Sequence, residues 1–135
     1  MLVFDSSALL KRYLNEEHSD WVANLMGEDS FWAGSALLAT ETAIAVGRGV
    51  GDSADLALID TRLNRDLEFF DLVPIDADCL VRAVRIGRGY GVKTLDAIHL
   101  AAASALPGEF SFVTFDDRQR EAAEDLGLKV LTPPV

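Results

Sequence analysis

The sequence predicts an α/β fold, with one three-layer α/β/α domain built on a mainly parallel sheet of five strands. Short β-rich runs alternate with longer helical patterns along the whole chain, which is typical of a parallel sheet covered by helices on both faces. The 135 residues match the usual length of one domain, and half of them are hydrophobic, which is enough to build a core. No linker or shift in composition divides the chain, so we expect residues 1–135 to form a single domain.

The predicted elements follow from apolar periodicity and from residues that begin or end helices. Five strands are expected at residues 2–4, 30–34, 70–75, 111–115 and 129–131. Helices are expected between them at 6–14, 19–26, 35–46, 52–68, 77–86, 94–103 and 117–126. Ser6 or Ser7 should cap the first helix. Glycines should end several of the others, at Gly27, in the segments 47–51 and 87–91, and at Gly127.

Composition restricts the compartment and the partners. The only cysteine is Cys79, which excludes an internal disulfide and a cysteine metal cluster within one chain. The first residues lack the pattern of a secretory signal, and the most apolar run, 97–106, is too short to cross a bilayer. We therefore expect a cytoplasmic protein without a membrane segment. A formal net charge of −10 argues against broad, nonspecific affinity for nucleic acid.

Two acidic residues follow predicted strands directly. Asp5 comes after the first strand, and Asp116 comes after the fourth. Ligands of doubly wound parallel sheets bind beyond the carboxyl ends of the strands, so these positions are typical of a binding site. Taken singly, each residue is more typical of a helix cap or a turn.

Two more acidic residues lie on apolar helix faces. Glu41 shares a face with Leu37 and Ile44, and Asp96 shares one with His99 and Leu100, by the three-and-four spacing of a helix. An ionised carboxylate removed from water must be paired, protonated, hydrogen-bonded or bound to a cation. For each residue alone, an ion pair with an arginine is the simple alternative.

Taken together, the four carboxylates favour a metal site. Two unit charges ~4 Å apart repel by roughly 4 kcal/mol at an effective dielectric of ~20, and no nearby arginine cluster is placed to offset this. Ligand sets made only of oxygen suit Mg²⁺ or Mn²⁺ rather than zinc or copper. We therefore expect a divalent metal ion, with Mg²⁺ first and Mn²⁺ as the other candidate.

The order of these short motifs resembles the PIN-domain ribonucleases, and within them the VapC toxins. The resemblance is carried by Asp5-Ser-Ser7, by Ser35 with Glu41 six residues later, by the segment 94–101 around Asp96, and by the segment 113–118 around Asp116. It covers nearly the whole chain. It implies a PIN-like fold and a Mg²⁺-dependent endoribonuclease, the toxin of a type II toxin–antitoxin system. It further implies an RNA substrate, a VapB-like antitoxin that covers the acidic groove, and a homodimer.

The same resemblance implies that Asp5, Glu41, Asp96 and Asp116 are the catalytic acids, supported by Thr114. We assign Asp5 and Asp96 as the direct metal ligands, with Asp116 binding directly or through water. Glu41 then orients a water or completes a second metal position, and the sequence leaves the number of ions open.

Two neighbours of these acids are ambiguous. We interpret Asp117 as a residue of the helix N-terminus, where the helix dipole favours an acid. His99 could ligate a metal or carry protons, but a hydrogen-bonded core histidine is the commoner case on an apolar helix.

RNA binding would require local cations despite the net charge. The candidates near the acidic residues are Lys11, Arg12, Arg48, Arg88, Lys93 and Arg118; the alternative is a scattered, solvated surface. The aromatic residues Trp21, Phe31 and Trp32 fit a core or a dimer interface better than base stacking. Trp21 and Val22 are expected to be exposed and to serve an interface.

Two other classes of protein fit parts of the sequence. A receiver-like phosphoacceptor domain would use Asp76, which follows a predicted strand, but it needs a lysine at the end of its last strand, whereas Lys129 begins that strand. A catalytically inactive PIN-fold binding module is the third reading, although all four acids are present.

Overall fold

The computed structural model describes residues 1–135 and contains one five-stranded sheet. All neighbouring strands are parallel, and their order across the sheet is β3-β2-β1-β4-β5. The strands are β1 (Leu2–Phe4), β2 (Trp32–Ser35), β3 (Phe70–Val73), β4 (Ser111–Val113) and β5 (Lys129–Leu131). The predicted α/β class is therefore confirmed, and the sheet is wholly rather than mainly parallel.

Seven α-helices connect and cover the strands. They are α1 (Ser6–Leu9), α2 (Ser19–Glu28), α3 (Leu37–Gly49), α4 (Ser53–Leu67), α5 (Ala77–Tyr90), α6 (Thr94–Ser104) and α7 (Asp117–Asp125). A 3₁₀ helix, Leu10–Arg12, continues directly from α1. None of these helices combines the length and the apolar content that a membrane span requires.

The two faces of the sheet carry separate hydrophobic clusters. Side chains alternate along β1, so Val3 packs with α5, α6 and α7, while Phe4 packs with α1 to α4 on the opposite face. The register repeats this alternation in β4, where Phe112 pairs with Val3 and Val113 pairs with Phe4. Both faces of the sheet are thus buried by helices, which gives the three layers.

Several helix ends differ from the predicted ones. Asp5, not Ser6 or Ser7, caps α1, and this helix gives way to the 3₁₀ segment after Leu9. Helices α2, α3 and α5 continue through their glycines to Glu28, Gly49 and Tyr90. An interior glycine costs a helix only about 1 kcal/mol, which the packing of its apolar face offsets. Only Gly91 (φ 67°) and Gly127 (φ 85°) adopt the left-handed conformation that closes a helix.

Candidate functional site

Strand β1 lies at the point where the order of the strands reverses. The chain moves from β1 to β2 on one side, and it returns later to place β4 on the other side. Such a switch point leaves a crevice at the carboxyl edge of the sheet. Asp5 follows β1 there, and Thr114 and Asp116 follow β4.

Asp5 is buried and held by three side-chain and backbone donors. Its Oδ1 accepts a hydrogen bond from the backbone N–H of Ala8 at 3.0 Å, which caps α1. Its Oδ2 accepts from the hydroxyl of Thr114 at 2.6 Å. The hydroxyl of Ser7 lies 2.7 Å from Oδ1 and 2.9 Å from Oδ2, and its oxygen accepts the N–H of Phe115. Asp5 therefore ties the end of β1 to the end of β4.

Gln119 connects the two remaining aspartates of the site. Its backbone N–H donates to Asp116 Oδ1 at 2.8 Å and so caps α7, while its side-chain amide donates to Asp96 Oδ1 at 2.8 Å. The Asp116 N–H in turn donates to Thr114 Oγ1 at 3.1 Å, which joins this pair to Asp5. Gln119 is fully buried, and its Oε1 has no hydrogen-bond partner. Three of the four predicted acids thus belong to one hydrogen-bonded network.

Glu41 is met by two donors from distant parts of the chain. The hydroxyl of Ser6 donates to its Oε1 at 3.0 Å, and His99 Nε2 on α6 contacts the same oxygen. The other imidazole nitrogen of His99, Nδ1, lies 3.3 Å from Ser35 Oγ at the end of β2. A histidine, rather than an arginine, therefore stabilises this carboxylate.

The helix-cap and binding-site interpretations of these acids are compatible. Asp5 and Asp116 do cap helices, as their positions after strands allowed. In Glu41, Asp96 and Asp116, however, one carboxylate oxygen accepts the protein's hydrogen bonds and no protein donor reaches the other. Each of these side chains is fixed in orientation and keeps one oxygen for an external partner.

The ionisation of the acids differs with their surroundings. Burial raises the pKa of Asp5 even though the hydrogen bonds from Thr114 and Ser7 act in the opposite direction. Burial, followed by the charge of neighbouring Asp116, raises the pKa of Asp96, and the charge of Glu41 adds a smaller effect in the same direction. The hydrogen bond from His99 lowers the pKa of Glu41. These mutual effects are those of carboxylates that share one region.

The acids do not form a closed metal cage. No group of three or more His, Cys, Asp or Glu side chains lies close enough to hold an ion by direct ligation alone. The donor set is nevertheless all oxygen, and Mg²⁺ usually binds through one or two carboxylates and retains several waters. The residues present therefore fit a hydrated Mg²⁺ better than a tightly caged ion, and the metal site stays a prediction.

Two further acids have other roles. Asp117 is in the first turn of α7, and its side chain is 90 % exposed beside Arg120, as its assignment to the helix N-terminus predicted. Asp76 caps α5 by accepting the N–H of Cys79 at 2.9 Å, and it follows β3 at the edge of the sheet. A receiver domain has a different strand order, 2-1-3-4-5, so Asp76 is not a central-strand phosphoacceptor.

The predicted cations divide into two groups. Arg12 donates to Asp66 at 2.9 Å, and Lys11 bonds the Glu17 carbonyl while lying over the ring of Phe115, so neither is free for substrate. The remaining candidates are exposed and form no ion pair: Arg48, Arg88, Lys93 and Arg118.

The expectation of an exposed Trp21–Val22 pair is wrong for Val22, which is fully buried between α2 and the sheet. Trp21 is half-buried and packs edge-on against Phe115. Trp32 is also partly buried, whereas Phe31 is 73 % exposed. The expectation for Val22 is wrong because helical periodicity alone does not show which face of α2 meets the sheet.

Beside Glu41 the surface forms an open groove of about 360 Å³. Its polar lining comes from Ser6, Ser7, Glu41 and Arg48, and its apolar lining from Leu10, Ile44, Ala45 and Leu95. The groove thus joins the acidic edge to an exposed apolar strip with one free cation.

Sequence reasoning missed the residues that position the acids, namely Ser6, Ser7, Ser35 and Gln119. The sequence pattern assigns Ser6 and Ser7 to a helix cap and Ser35 to the start of a helix. The one available signal was the run Asp5-Ser-Ser7, which places two hydroxyls beside a carboxylate. Gln119 carries no local signal, because its contact with Asp96 spans 23 positions of the chain.

Comparison with known proteins finds relatives that match nearly the whole chain. The chain is 33% identical to Ribonuclease VapC46 of Mycobacterium tuberculosis over 98% of its length and 97% of that protein, and 32% identical to Ribonuclease VapC35 of the same organism over the same shares.

Solved structures with the same fold include a toxin–antitoxin complex from Klebsiella pneumoniae, with a TM-score of 0.73 and 20% identity over 99% of this chain and 98% of that one. Another is FitAcB from Neisseria gonorrhoeae, with a TM-score of 0.69 and 18% identity over 98% and 97% of the two chains. The model of the PIN domain family matches residues 2–125. The chain therefore belongs to the PIN domain family.

Proposed function

We propose that this protein is a Mg²⁺-dependent endoribonuclease and the toxin of a type II toxin–antitoxin pair. Its relatives at about a third identity carry the name ribonuclease and match it along nearly their whole length. Asp5, Glu41, Asp96 and Asp116 are the proposed catalytic acids, and Asp5, Asp96 and Asp116 the proposed metal ligands.

One observation supports this function above the others. Three carboxylates at the switch point each present an oxygen without a protein partner, and they come from the start of α7, from α6 and from α3. No lysine or arginine forms an ion pair with them. Bringing these acids together without a lysine or arginine costs free energy, and a bound cation would offset that cost.

The protein's own groups would orient this chemistry. When bound, Mg²⁺ would supply an activated water and would offset charge on the phosphate. Thr114 and Ser7 hold Asp5, and Gln119 holds Asp96 and Asp116, so the carboxylates need little rearrangement. The free oxygen of Glu41 is suited to accept a hydrogen bond from a water and so to orient it.

RNA would approach through the exposed cations near the acidic edge. Arg48 lines the groove beside Glu41, and Lys93 precedes α6 by one residue, three positions before Asp96. Arg118 follows Asp116 in the first turn of α7. These three charges would attract phosphates locally on a protein that is acidic overall, so binding should be weak and sensitive to salt.

The test is cleavage of a panel of RNAs by the purified protein, with and without Mg²⁺ or Mn²⁺. We expect cleavage that chelation stops, and a loss of at least about 100-fold in Asp5→Asn and Asp96→Asn. Asp117→Asn, at an exposed position in the first turn of α7, is the matched control and should cleave normally. Cleavage that persists in chelator, or in both site variants, would refute the proposal. A wild-type protein that folds and binds a partner but cuts no RNA would favour the inactive binding module instead.

We further propose a VapB-like antitoxin as partner. Its C-terminal segment would lie in the groove beside Glu41, where apolar residues could pack on Ile44 and Leu95 and a cationic side chain could reach the acids. Solved relatives in this fold include toxin–antitoxin complexes. A structure of the complex that leaves this groove open would contradict the assignment.

A homodimer is the last part of the proposal. Leu80, Val81 and Val84 on α5 are each about half exposed and form an apolar face that a second copy could cover. Light scattering of the wild type should give twice the 14.6 kDa mass of the chain. The Val81→Glu variant should give the mass of a single chain. A monomeric wild type at micromolar concentration would exclude this assembly.

A further inference from the structure

His99 occupies a position between the sheet and the proposed catalytic acid. It lies on α6 with 2 % of its surface exposed. Nε2 contacts Glu41 Oε1, 58 positions earlier in the chain, and Nδ1 lies 3.3 Å from Ser35 Oγ at the end of β2. Neither contact serves the packing of α6, which its alanine-rich face provides. The two ring nitrogens of His99 thus link Ser35 to Glu41.

The donors at the two ends of this linkage are fixed by their chemistry. The backbone N–H of Leu37 can only donate, and it donates to Ser35 Oγ at 3.1 Å. At the other end, the carboxylate of Glu41 can only accept, so the proton must be on His99 Nε2. Ser35 Oγ lies 3.3 Å from Nδ1 and forms the second hydrogen bond of the ring. The linkage therefore ends in a donor that points at Glu41.

This arrangement fixes one oxygen of Glu41 and leaves the other open. Oε1 accepts from both His99 Nε2 and Ser6 Oγ, whereas no protein donor reaches Oε2. Holding a long side chain in this way removes rotamer freedom that would otherwise be lost on each binding event.

We infer that Ser35 and His99 are positioning residues for RNA cleavage, which hold Glu41 by Oε1 so that Oε2 faces the reacting water or cation. The inference rests on the proposed nuclease function. It predicts that kcat depends on a hydrogen-bond donor at the position of Nε2 and not on the imidazole ring itself.

Two amide substitutions separate these possibilities. The side chain of glutamine can place its amide nitrogen near the position of Nε2 and still donate to Glu41, whereas the asparagine amide reaches only the position of Nδ1. We expect His99→Asn to lower kcat by about 10- to 100-fold with little change in KM, and His99→Gln to stay within a few-fold of wild type. A purely structural histidine would give equal losses in both, in proportion to their loss of thermal stability, and that result would overturn the inference.

Ser35→Ala provides a second variant in case the asparagine protein does not fold. It keeps His99 and its Nε2 donor but removes the hydroxyl that holds Nδ1, so the imidazole is less firmly oriented. We expect a smaller reduction in kcat than for His99→Asn, again with KM unchanged. Wild-type kcat in Ser35→Ala would contradict a role for this hydroxyl.

The proton on Nε2 can be detected without any cleavage assay. In ¹⁵N-histidine NMR of the wild-type protein, Nε2 of His99 should be protonated, and it should stay protonated in Ser35→Ala because the Glu41 carboxylate can only accept. His18→Gln assigns the signals, since the chain has only two histidines. An unprotonated Nε2 in the wild type would overturn the inference even if RNA is cleaved. Absence of wild-type cleavage would overturn the nuclease proposal and this role with it, whereas cleavage with equal asparagine and glutamine variants would overturn only the role.

Discussion

At the scale of single residues, Asp5 and Asp96 destabilise the folded protein when they are ionised. Burial raises the pKa of Asp5 and of Asp96, and at Asp96 the charge of Asp116 adds to it. A raised pKa means that folding makes the ionised form less favourable. At neutral pH, with no divalent ion present, these carboxylates therefore lower the free energy of unfolding.

Asp96→Asn should make the metal-free protein more stable at pH 7. Because the folded-state pKa of Asp96 lies above that of the unfolded chain, its favourable contribution is fully present at low pH and is lost as the pH rises through the folded-state pKa. Asparagine does not titrate, and its side-chain oxygen can still accept the amide of Gln119. Thermal melts should show a higher Tm at pH 7, by a few degrees, with a gap that narrows towards about pH 4.

The control for this experiment is Asp117→Asn, because the Asp117 side chain is 90 % exposed in the same region. Its Tm should follow that of the wild type across the pH range. An Asp96→Asn protein that is less stable than wild type at pH 7 would show that the carboxylate is stabilised by groups other than those described.

At the scale of secondary-structure elements, a polar cluster anchors the 3₁₀ helix that follows α1. Asp66 on α4 is buried and accepts both Arg12 Nε at 2.9 Å and the hydroxyl of Tyr13 at 2.7 Å. Burial, together with this hydrogen bond, raises the pKa of Tyr13 far above its ordinary value, so the phenol remains a donor. The cluster joins α4 to the chain segment that leads away from Asp5.

Removal of Asp66 should destabilise the fold. Asp66→Ala leaves Arg12 and the Tyr13 hydroxyl without a partner, and we expect a loss of about 2–4 kcal/mol in the free energy of unfolding. Tyr13→Phe removes only one of the two bonds and should cost about 1 kcal/mol. Urea denaturation measures both, with Asp55→Ala at an exposed position of α4 as the control. Equal losses in Asp66→Ala and Asp55→Ala would mean that the cluster adds nothing to stability.

At the scale of the whole molecule, the net charge of −10 is compatible with RNA as the proposed substrate because the charges are not evenly placed. Arg48 and Lys93 are exposed near the acidic edge without ion-pair partners. Lys129 is equally exposed but begins β5, at the opposite edge of the parallel sheet. Position, rather than total charge, should therefore decide which cations contribute to RNA binding.

Arg48→Ser and Lys93→Ser should each raise KM for RNA and leave kcat nearly unchanged. Loss of one phosphate contact to single-stranded RNA should reduce the slope of log affinity against log salt concentration by about 0.7. Lys129→Ser is the matched variant and should change neither quantity. If all three variants behave alike, substrate binding depends on the overall charge of the protein and not on this edge.

Much of the architecture could be predicted because it depends on local patterns. The alternation of apolar residues in β1, and the apolar run of α6 that begins at Thr94, are properties of neighbouring residues, and both elements form where the patterns lie. Helix ends were less predictable, since Gly47 and Gly87 lie in helices that tertiary packing extends beyond them. The order of the strands was not predictable from such patterns, because pairing β1 with β4 joins segments more than a hundred residues apart.

By itself, the sequence determined the α/β class, the elements, and the placing of Asp5 and Asp116 after strands. It placed Glu41 on an apolar helix face without showing which group stabilises the carboxylate. Only the tertiary structure decided which residues contact the acids: Ser6 and His99 contact Glu41, and Gln119 contacts Asp96. It also decided that Arg12 pairs with Asp66 and is not free for substrate. The physical reason is that secondary structure depends on residues a few positions apart, whereas hydrogen-bond partners depend on how elements distant in the chain pack together.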